Sequence, residues 1–256
     1  MEKFNRVMQE AALVSFQIFA PYSKLLCAVS TRRGGFSQGA YSGLNLGLHI
    51  GDQRPLVHKN RECFYQHLAL TGQQVAFGEQ MHTANAMLVH DAGIFKKTDA
   101  LITQKKNVFL AVLIADCFPV FLFDPASTTV AVIHAGWRGT RAGIIENTLD
   151  LLRLELNLQA GGMIAAVGPG LQRECFEVRK DVYELFDGQY LSPHREADKK
   201  YLDLRQVIVD KLRRQGVSEE RLEWSNECTM CSAEKFYSYR RQGKNSGRMM
   251  AIIGIR

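Results

Sequence analysis

The chain contains no apolar run long enough to cross a bilayer. Its longest, Val108–Ala115, falls far short of the ~20 residues a spanning helix needs. A leader-like start is missing as well: Met1–Glu10 mixes charges, and no early apolar stretch leads to a small-residue cleavage site. Both absences argue against a membrane partner and a secretory route. Lys and Arg outnumber Asp and Glu by 32 to 26, for a formal charge of +6, yet basic residues cluster no further than pairs such as Arg32-Arg33, Arg213-Arg214 and Arg240-Arg241. A nucleic-acid footprint is normally a dense patch, so nucleic acid is not an expected partner. The excess reads as solvated surface, with a few arginines reserved for an anionic ligand. There is no internal repeat, low-complexity segment or linker. Cys228 and Cys231 form a single Cys-x-x-Cys with no second pair nearby, which a structural zinc site of that type would require.

What is present suits a globular protein. The 256 residues are 46% hydrophobic, ample for a buried core. The six cysteines, without a secretory signal, read as reduced thiols, and the expected compartment is the cytoplasm. Short β-branched or continuously apolar segments bounded by Gly, Pro, Asp or Asn predict strands at Leu25–Ser30, Val75–Phe77, Ala86–His90, Ala100–Thr103, Val108–Ala115, Val120–Phe123, Thr129–His134, Met163–Val167, Leu222–Trp224 and Met249–Ile255. Helical spacing predicts helices at Arg54–Leu70, Arg141–Leu156, Arg179–Phe186 and Leu204–Arg214. Val108–Ala115 and Thr129–His134 lack polar alternation and are expected to be covered on both faces. Strands outnumber helices by more than two to one and do not alternate regularly with them. The expected class is therefore α+β, a single domain of mixed sheets covered by helices, rather than a doubly wound parallel sheet.

Three residues sit where apolar segments give way to turn chemistry. They are His82 in Gln80-Met81-His82-Thr83, Cys117 in Ala115-Asp116-Cys117-Phe118-Pro119, and His134 at the head of His134-Ala135-Gly136-Trp137-Arg138-Gly139. Two imidazoles and a thiolate make three protein ligands, one short of a closed structural zinc site, which leaves a position for water or substrate. The set suits zinc, with copper as the alternative. Asp116 is a candidate to orient a ligand imidazole or to carry a proton. Gly168-Pro169-Gly170 offers a tight turn whose N–H groups could face an anion or a nucleobase. Arg32-Arg33 and Tyr239-Arg240-Arg241 offer bidentate guanidinium chemistry to phosphate. Cys63 and His67, four apart on a predicted helix, read as packing.

These segments, together with Ser30-Thr31-Arg32-Arg33-Gly34-Gly35, Ser42-Gly43-Leu44-Asn45-Leu46-Gly47, Asp99-Ala100-Leu101-Ile102-Thr103 and Phe236-Tyr237-Ser238-Tyr239-Arg240-Arg241, occur in the order of a known family. The chain resembles the YfiH-like proteins, also called the laccase-domain or multicopper polyphenol oxidase family, from about Leu25 to its C-terminus. The resemblance implies one domain over residues 1–256 with a layered α/β/β/α build. It also implies zinc on His82, Cys117 and His134, and the activity of a purine nucleoside phosphorylase. Adenosine, inosine, guanosine or methylthioadenosine plus phosphate would give base and ribose 1-phosphate, with adenosine deamination at the same site. Arg33, Asn45, Gly168 and Arg240 are the expected substrate contacts, with Asp116 as a catalytic carboxylate beside the metal ligands. A monomer or small homo-oligomer is expected. Gln242 stands where the family often has an acidic residue after the paired arginines, so no carboxylate role carries over there.

The laccase name can be tested against ligand supply. A blue-copper plus trinuclear oxidase needs about ten histidines, several as His-x-His, because imidazole is the preferred copper ligand. The chain has seven histidines and no His-x-His, so an oxidase reading is restricted to one metal. Two further readings stay open: an amide hydrolase with Cys117 as nucleophile and His134 as base, and a zinc-binding partner module.

Overall fold

The computed structural model describes residues 13–256, and the reading of Met1–Glu10 as free of a leader lies outside the described residues. Along the chain the strands are β1 (Leu13–Val14), β2 (Leu25–Ser30), β3 (Val75–Gly78), β4 (Ala86–Leu88), β5 (Gly93–Phe95), β6 (Ala100–Thr103), β7 (Phe109–Ile114), β8 (Phe118–Asp124), β9 (Thr129–Ala135), β10 (Ile164–Val167), β11 (Glu177–Arg179), β12 (Leu191–Pro193), β13 (Lys199–Leu202), β14 (Leu222–Trp224) and β15 (Met249–Ile255). The helices are α1 (Arg54–His67), α2 (Trp137–Ala142), α3 (Ile144–Leu156), α4 (Lys180–Tyr183), α5 (Leu204–Arg214) and α6 (Tyr239–Gln242). One six-stranded sheet runs β1-β2-β15-β7-β3-β5, a second runs β14-β10-β8-β9-β6-β4, and β11-β13-β12 form a small third sheet.

The two large sheets pack face to face, and period-2 alternation explains why their central strands are apolar throughout. In β7, Leu110, Val112 and Ile114 point into the space between the sheets, while Phe109 and Ala111 point outward beneath Phe64, Tyr65 and Leu68 at the end of α1. In β8, Phe121 and Phe123 face the first sheet, while Phe118, Val120 and Leu122 face α3 and α5 through Ile144, Leu149, Val207 and Ile208. The layers are thus helix, sheet, sheet, helix, a mixed α/β single domain.

Five sequence-predicted elements change by more than one residue at an end, among them the helix Arg54–Leu70, which stops at His67. The predicted helix Arg141–Leu156 is two helices, because Gly143 adopts φ 96° and caps α2 before α3 begins. The predicted helix Arg179–Phe186 shrinks to the single turn α4, preceded by β11. The predicted strand Val120–Phe123 starts earlier, at Phe118, and Ala86–His90 ends earlier, at Leu88. The short strands β1, β5, β11, β12 and β13 carry too little apolar pattern to be read from sequence.

Of the segments that carry the chain from one large sheet to the other, three, 79–85, 115–117 and 225–248, leave from the same end of the sandwich. Each crossing brings residues from both layers to a common end of the sandwich. The packing between the layers sets the cost of disturbing it. Phe121→Ala, which opens a cavity between the sheets, should cost about 3–5 kcal/mol in urea denaturation. Leu154→Ala, at a side chain 69% exposed, should stay within about 0.5 kcal/mol.

Candidate active site

Antiparallel pairing of β8 with β9 sets Phe118 opposite Ala135 and Pro119 opposite His134. Cys117, the residue just before β8, therefore arrives beside the end of β9. β6 lies on the other side of β9 with Ala100 opposite Ile133, and the His134 N–H donates to the Asp99 carbonyl at 2.8 Å. Strand register alone thus gathers Asp99, Cys117 and His134 at one end of the second sheet.

The loop after β3 supplies His82. The Gln80 side chain continues the ladder beyond that strand: its Nε2 donates to the Leu113 carbonyl and its Oε1 accepts the Leu113 N–H, both at 2.7 Å. The next residues then wrap around one carboxylate. Asp99 accepts N–H bonds from Met81 (3.1 Å), His82 (3.0 Å) and Thr83 (2.8 Å), and a hydroxyl bond from Thr83 (2.8 Å). These bonds hold His82 in a left-handed conformation, φ 57°, which a non-glycine residue adopts only where its surroundings demand it.

The ligand atoms of His82, Cys117 and His134 lie within 4.8 Å of one another. The two imidazole rings meet edge to face with centroids 4.8 Å apart. Burial grades across the set, from buried His134 through half-buried Cys117 to exposed His82, so the cluster opens on one side. Gly136 backs it: a Cβ there would lie 2.8 Å from the Cys117 sulfur and 2.9 Å from His82 Nδ1. Asp99 Oδ1 bonds His134 Nδ1 at 2.9 Å, which leaves Nε2 for an ion. A carboxylate behind a ligand imidazole is the usual support of a metal site, so the residues fit a divalent cation with one open coordination position.

Electrostatics agree with the geometry. Burial would raise the Cys117 thiol, but the His134 and His82 rings outweigh it and bring it down to about 6. Burial would likewise discharge the His134 imidazolium, and the Cys117 sulfur with the Asp99 carboxylate raises it to about 9 instead. Burial of Asp99 is overridden by the bonds from His134 and Thr83, which hold its carboxyl at about 2.

The other sequence candidates divide. Asp116 stands beside Cys117 with φ 94°, but it does not orient an imidazole. Its oxygens accept the Thr229 hydroxyl at 2.7 Å and the Arg240 N–H at 2.6 Å, and Asp99 has the orienting role instead. Asn45, expected to contact substrate, is fully buried. Its amide donates to Asp52 and its oxygen accepts from Gly47 and Arg248. The Gly168 N–H donates to the Pro119 carbonyl at 2.8 Å, and a Cβ there would strike the Pro119 ring at 2.6 Å. Arg32 is spent on Ala233 and Ser42 and stacks on Tyr237. Arg33 is exposed, and its side chain makes no hydrogen bond or ion pair among the described residues. Arg240 lies over the Phe176 ring and donates to the Glu177 carbonyl at 3.0 Å. Cys63 and His67 join no metal-binding group among the described residues.

Sequence reasoning missed Asp99 and Arg248. Asp99 opens an apolar strand and looks like an ordinary strand boundary. Arg248 is partly buried, which pulls its guanidinium down, while Cys117, Asp116, Tyr239 and Tyr41 act on its charge in the opposite sense. Nothing near it in the chain signals that proximity.

The chain is thus a helix-covered double sheet with a cluster of two histidines and one cysteine, open on one side, at the end of its strands. The chain belongs to the multi-copper polyphenol oxidoreductase laccase family, whose model matches residues 26–256. It is similar to a purine nucleoside phosphorylase of Bacteroides thetaiotaomicron, 29% identical with 97% of this chain and 98% of that one covered. It is also similar to purine nucleoside phosphorylase YlmD of Bacillus subtilis, 32% identical with 91% and 89% covered, and to purine nucleoside phosphorylase YfiH of Escherichia coli, 34% identical with 88% and 92% covered. Among solved structures, the Bacillus licheniformis YfiH protein superposes with a TM-score of 0.90 at 27% identity, with 96% and 97% covered. YlmD of Geobacillus stearothermophilus gives 0.87 at 30% identity, with 93% and 94% covered. No described helix is long and apolar enough to cross a membrane.

The support that Asp99 gives the cluster can be measured directly. Asp99→Asn should weaken zinc binding about 10- to 100-fold, read by competition with a chromophoric chelator; unchanged affinity in a folded variant would discard the supporting role. In metal-free protein the lowered pKa means that thiolate dominates above pH about 6. Alkylation of Cys117 by iodoacetamide should therefore rise with pH around a midpoint near 6, and His134→Ala should move that midpoint upward.

Proposed function

We propose that this chain is a metal-dependent purine nucleoside phosphorylase that also deaminates adenosine. It would act on adenosine, inosine, guanosine or methylthioadenosine with zinc on His82, Cys117 and His134. The observation that carries the reading is the open three-donor cluster, found in a chain whose relatives bear the phosphorylase name over nearly their whole length.

Bound there, a zinc ion supplies Lewis acidity toward an oxygen or nitrogen of the substrate. The protein's own residues do the rest. Asp99 holds His134 with Nδ1 occupied and keeps the His82 loop closed on the site, so the donor geometry is set before substrate arrives. Phosphorolysis needs a dianion held near the ribose, and charge-assisted guanidinium bonds suit it. Arg33 is exposed and its side chain is unengaged among the described residues, Arg240 flanks Asp116 through its N–H, and Arg248 adds positive charge near Cys117. Met81 and Tyr239, exposed large side chains next to site residues in the chain, offer apolar surface to a purine. In deamination, Asp116 moves a proton between water and the departing amine; its two oxygens each accept one bond and keep lone pairs for a third partner.

One observation favours a second reading. Cys117, His134 and Asp99 stand in the order nucleophile, base and orienting carboxylate, an arrangement that also suits a cysteine amide hydrolase. Chelation separates the two, since loss of metal abolishes the first activity and exposes the thiolate needed for the second. The single-copper polyphenol oxidase reading rests on the family name and on a donor set that copper also accepts.

Incubation of adenosine and inosine in phosphate buffer should yield adenine, hypoxanthine, ribose 1-phosphate and, from adenosine, inosine. Cys117→Ala should abolish all of these, and wild-type rates in that variant would refute the proposal. Arg33→Ala should raise the KM for phosphate roughly tenfold, the loss expected for a hydrogen bond to a charged group, while deamination is unchanged.

A further inference from the structure

Cys228 and Cys231 lack a second pair in the sequence, but the fold supplies a third thiol. Cys175 ends the short 3-10 turn Arg173–Cys175 beyond β10, 53 residues before Cys228 in the numbering, and its sulfur lies 3.3 Å from that of Cys231. All three sulfurs are within 4.8 Å of one another, and none is in a disulfide.

Backbone amides line one of the three sulfurs, and solvent reaches another. Cys228 is buried, and the N–H groups of Gln172, Cys231 and Met230 face its sulfur. Amides of a Cys-x-x-Cys turn converging on the first sulfur are the arrangement that lets such a turn hold a soft cation. Three sulfurs packed this closely repel one another as anions, and a cation between them removes that cost. Cys231 is exposed, so an ion can enter from solvent and a water can complete its shell.

The turn between Cys228 and Cys231 is anchored on every side. The Thr229 N–H donates to the Gly170 carbonyl at 3.0 Å. The Arg241 guanidinium donates to the Thr229, Met230 and Phe236 carbonyls. The Thr229 hydroxyl donates to Asp116, the carboxylate beside Cys117.

We propose that Cys175, Cys228 and Cys231 form a second metal site, distinct from the His82–Cys117–His134 centre, which takes a thiophilic closed-shell cation, zinc(II) or copper(I), and pins the Thr229 turn against Asp116. The proposal stands apart from the phosphorylase reading, because it concerns loading and local order and would survive a different reaction at the first centre. Three thiolates satisfy copper(I) outright, whereas zinc(II) would add one water.

The test is metal stoichiometry of the full chain, purified anaerobically under reductant. Titration with zinc, and separately with copper(I), against chromophoric chelators should give two ions per chain for at least one metal. The double variant Cys175→Ser, Cys231→Ser should bind one, and so should Cys117→Ala, with the surviving ion at the other centre. Zinc-titrated wild type compared with copper-titrated wild type names the cation. A second measurement needs no variant: in the wild-type chain, the loaded metal should protect Cys175, Cys228 and Cys231 from maleimide, as read by peptide mass spectrometry. One ion per chain with all three thiols still reactive would overturn the proposal, as would their recovery as a Cys175–Cys231 disulfide in the metal-supplemented protein.

Discussion

A single buried carboxylate organises the site. Asp99 is 0% exposed, and an unpaired charge in that position would be very costly. It is satisfied by five donors: three consecutive backbone N–H groups, the Thr83 hydroxyl and His134 Nδ1. Those donors come from a loop leaving the first sheet and a strand of the second. Solvating the carboxylate internally therefore also fixes His82 relative to His134. The strained backbone at His82 persists because releasing it would strip the carboxylate of its partners.

The layered core makes such precision available. Strands β6, β8 and β9 are apolar on both faces and locked in register by neighbours on each side. Their ends therefore occupy defined positions, and side chains just beyond them inherit that definition. The crossings between sheets bring chemistry to these ends. Cys117 lies on one, His82 on another, and Arg240 and Arg248 on the third. Asp116 and Thr229 tie the second crossing to the third, so the thiol cluster and the histidine-cysteine centre share one hydrogen-bonded support.

Much of this is legible in the chain, for reasons that can be named. Leu25–Ser30, Ala100–Thr103, Leu222–Trp224, Met249–Ile255 and Leu204–Arg214 match observed elements end for end, because their apolar pattern and flanking turn residues agree. His82, Cys117 and His134 stand out because reactive side chains interrupt apolar segments. The backbone partners of Asn45 and Gly168 could not be read in the same way, because turn residues look alike in sequence whether their polar groups serve a ligand or the backbone. Gly143 could signal a helix break, but the apolar stripe running past it hides the signal.

The sequence by itself determined the class of fold and the chemical character of the donors, since both follow from local pattern and residue type. It determined too that a multicopper cluster could not be built, because the histidines are too few. Tertiary structure alone decided which carboxylate supports His134, that Asp116 answers to Thr229 and Arg240, and that Cys175 joins Cys228 and Cys231. Each of these depends on strand register and chain crossings between residues 35 to 124 positions apart, and no local pattern in the chain encodes contacts over such separations.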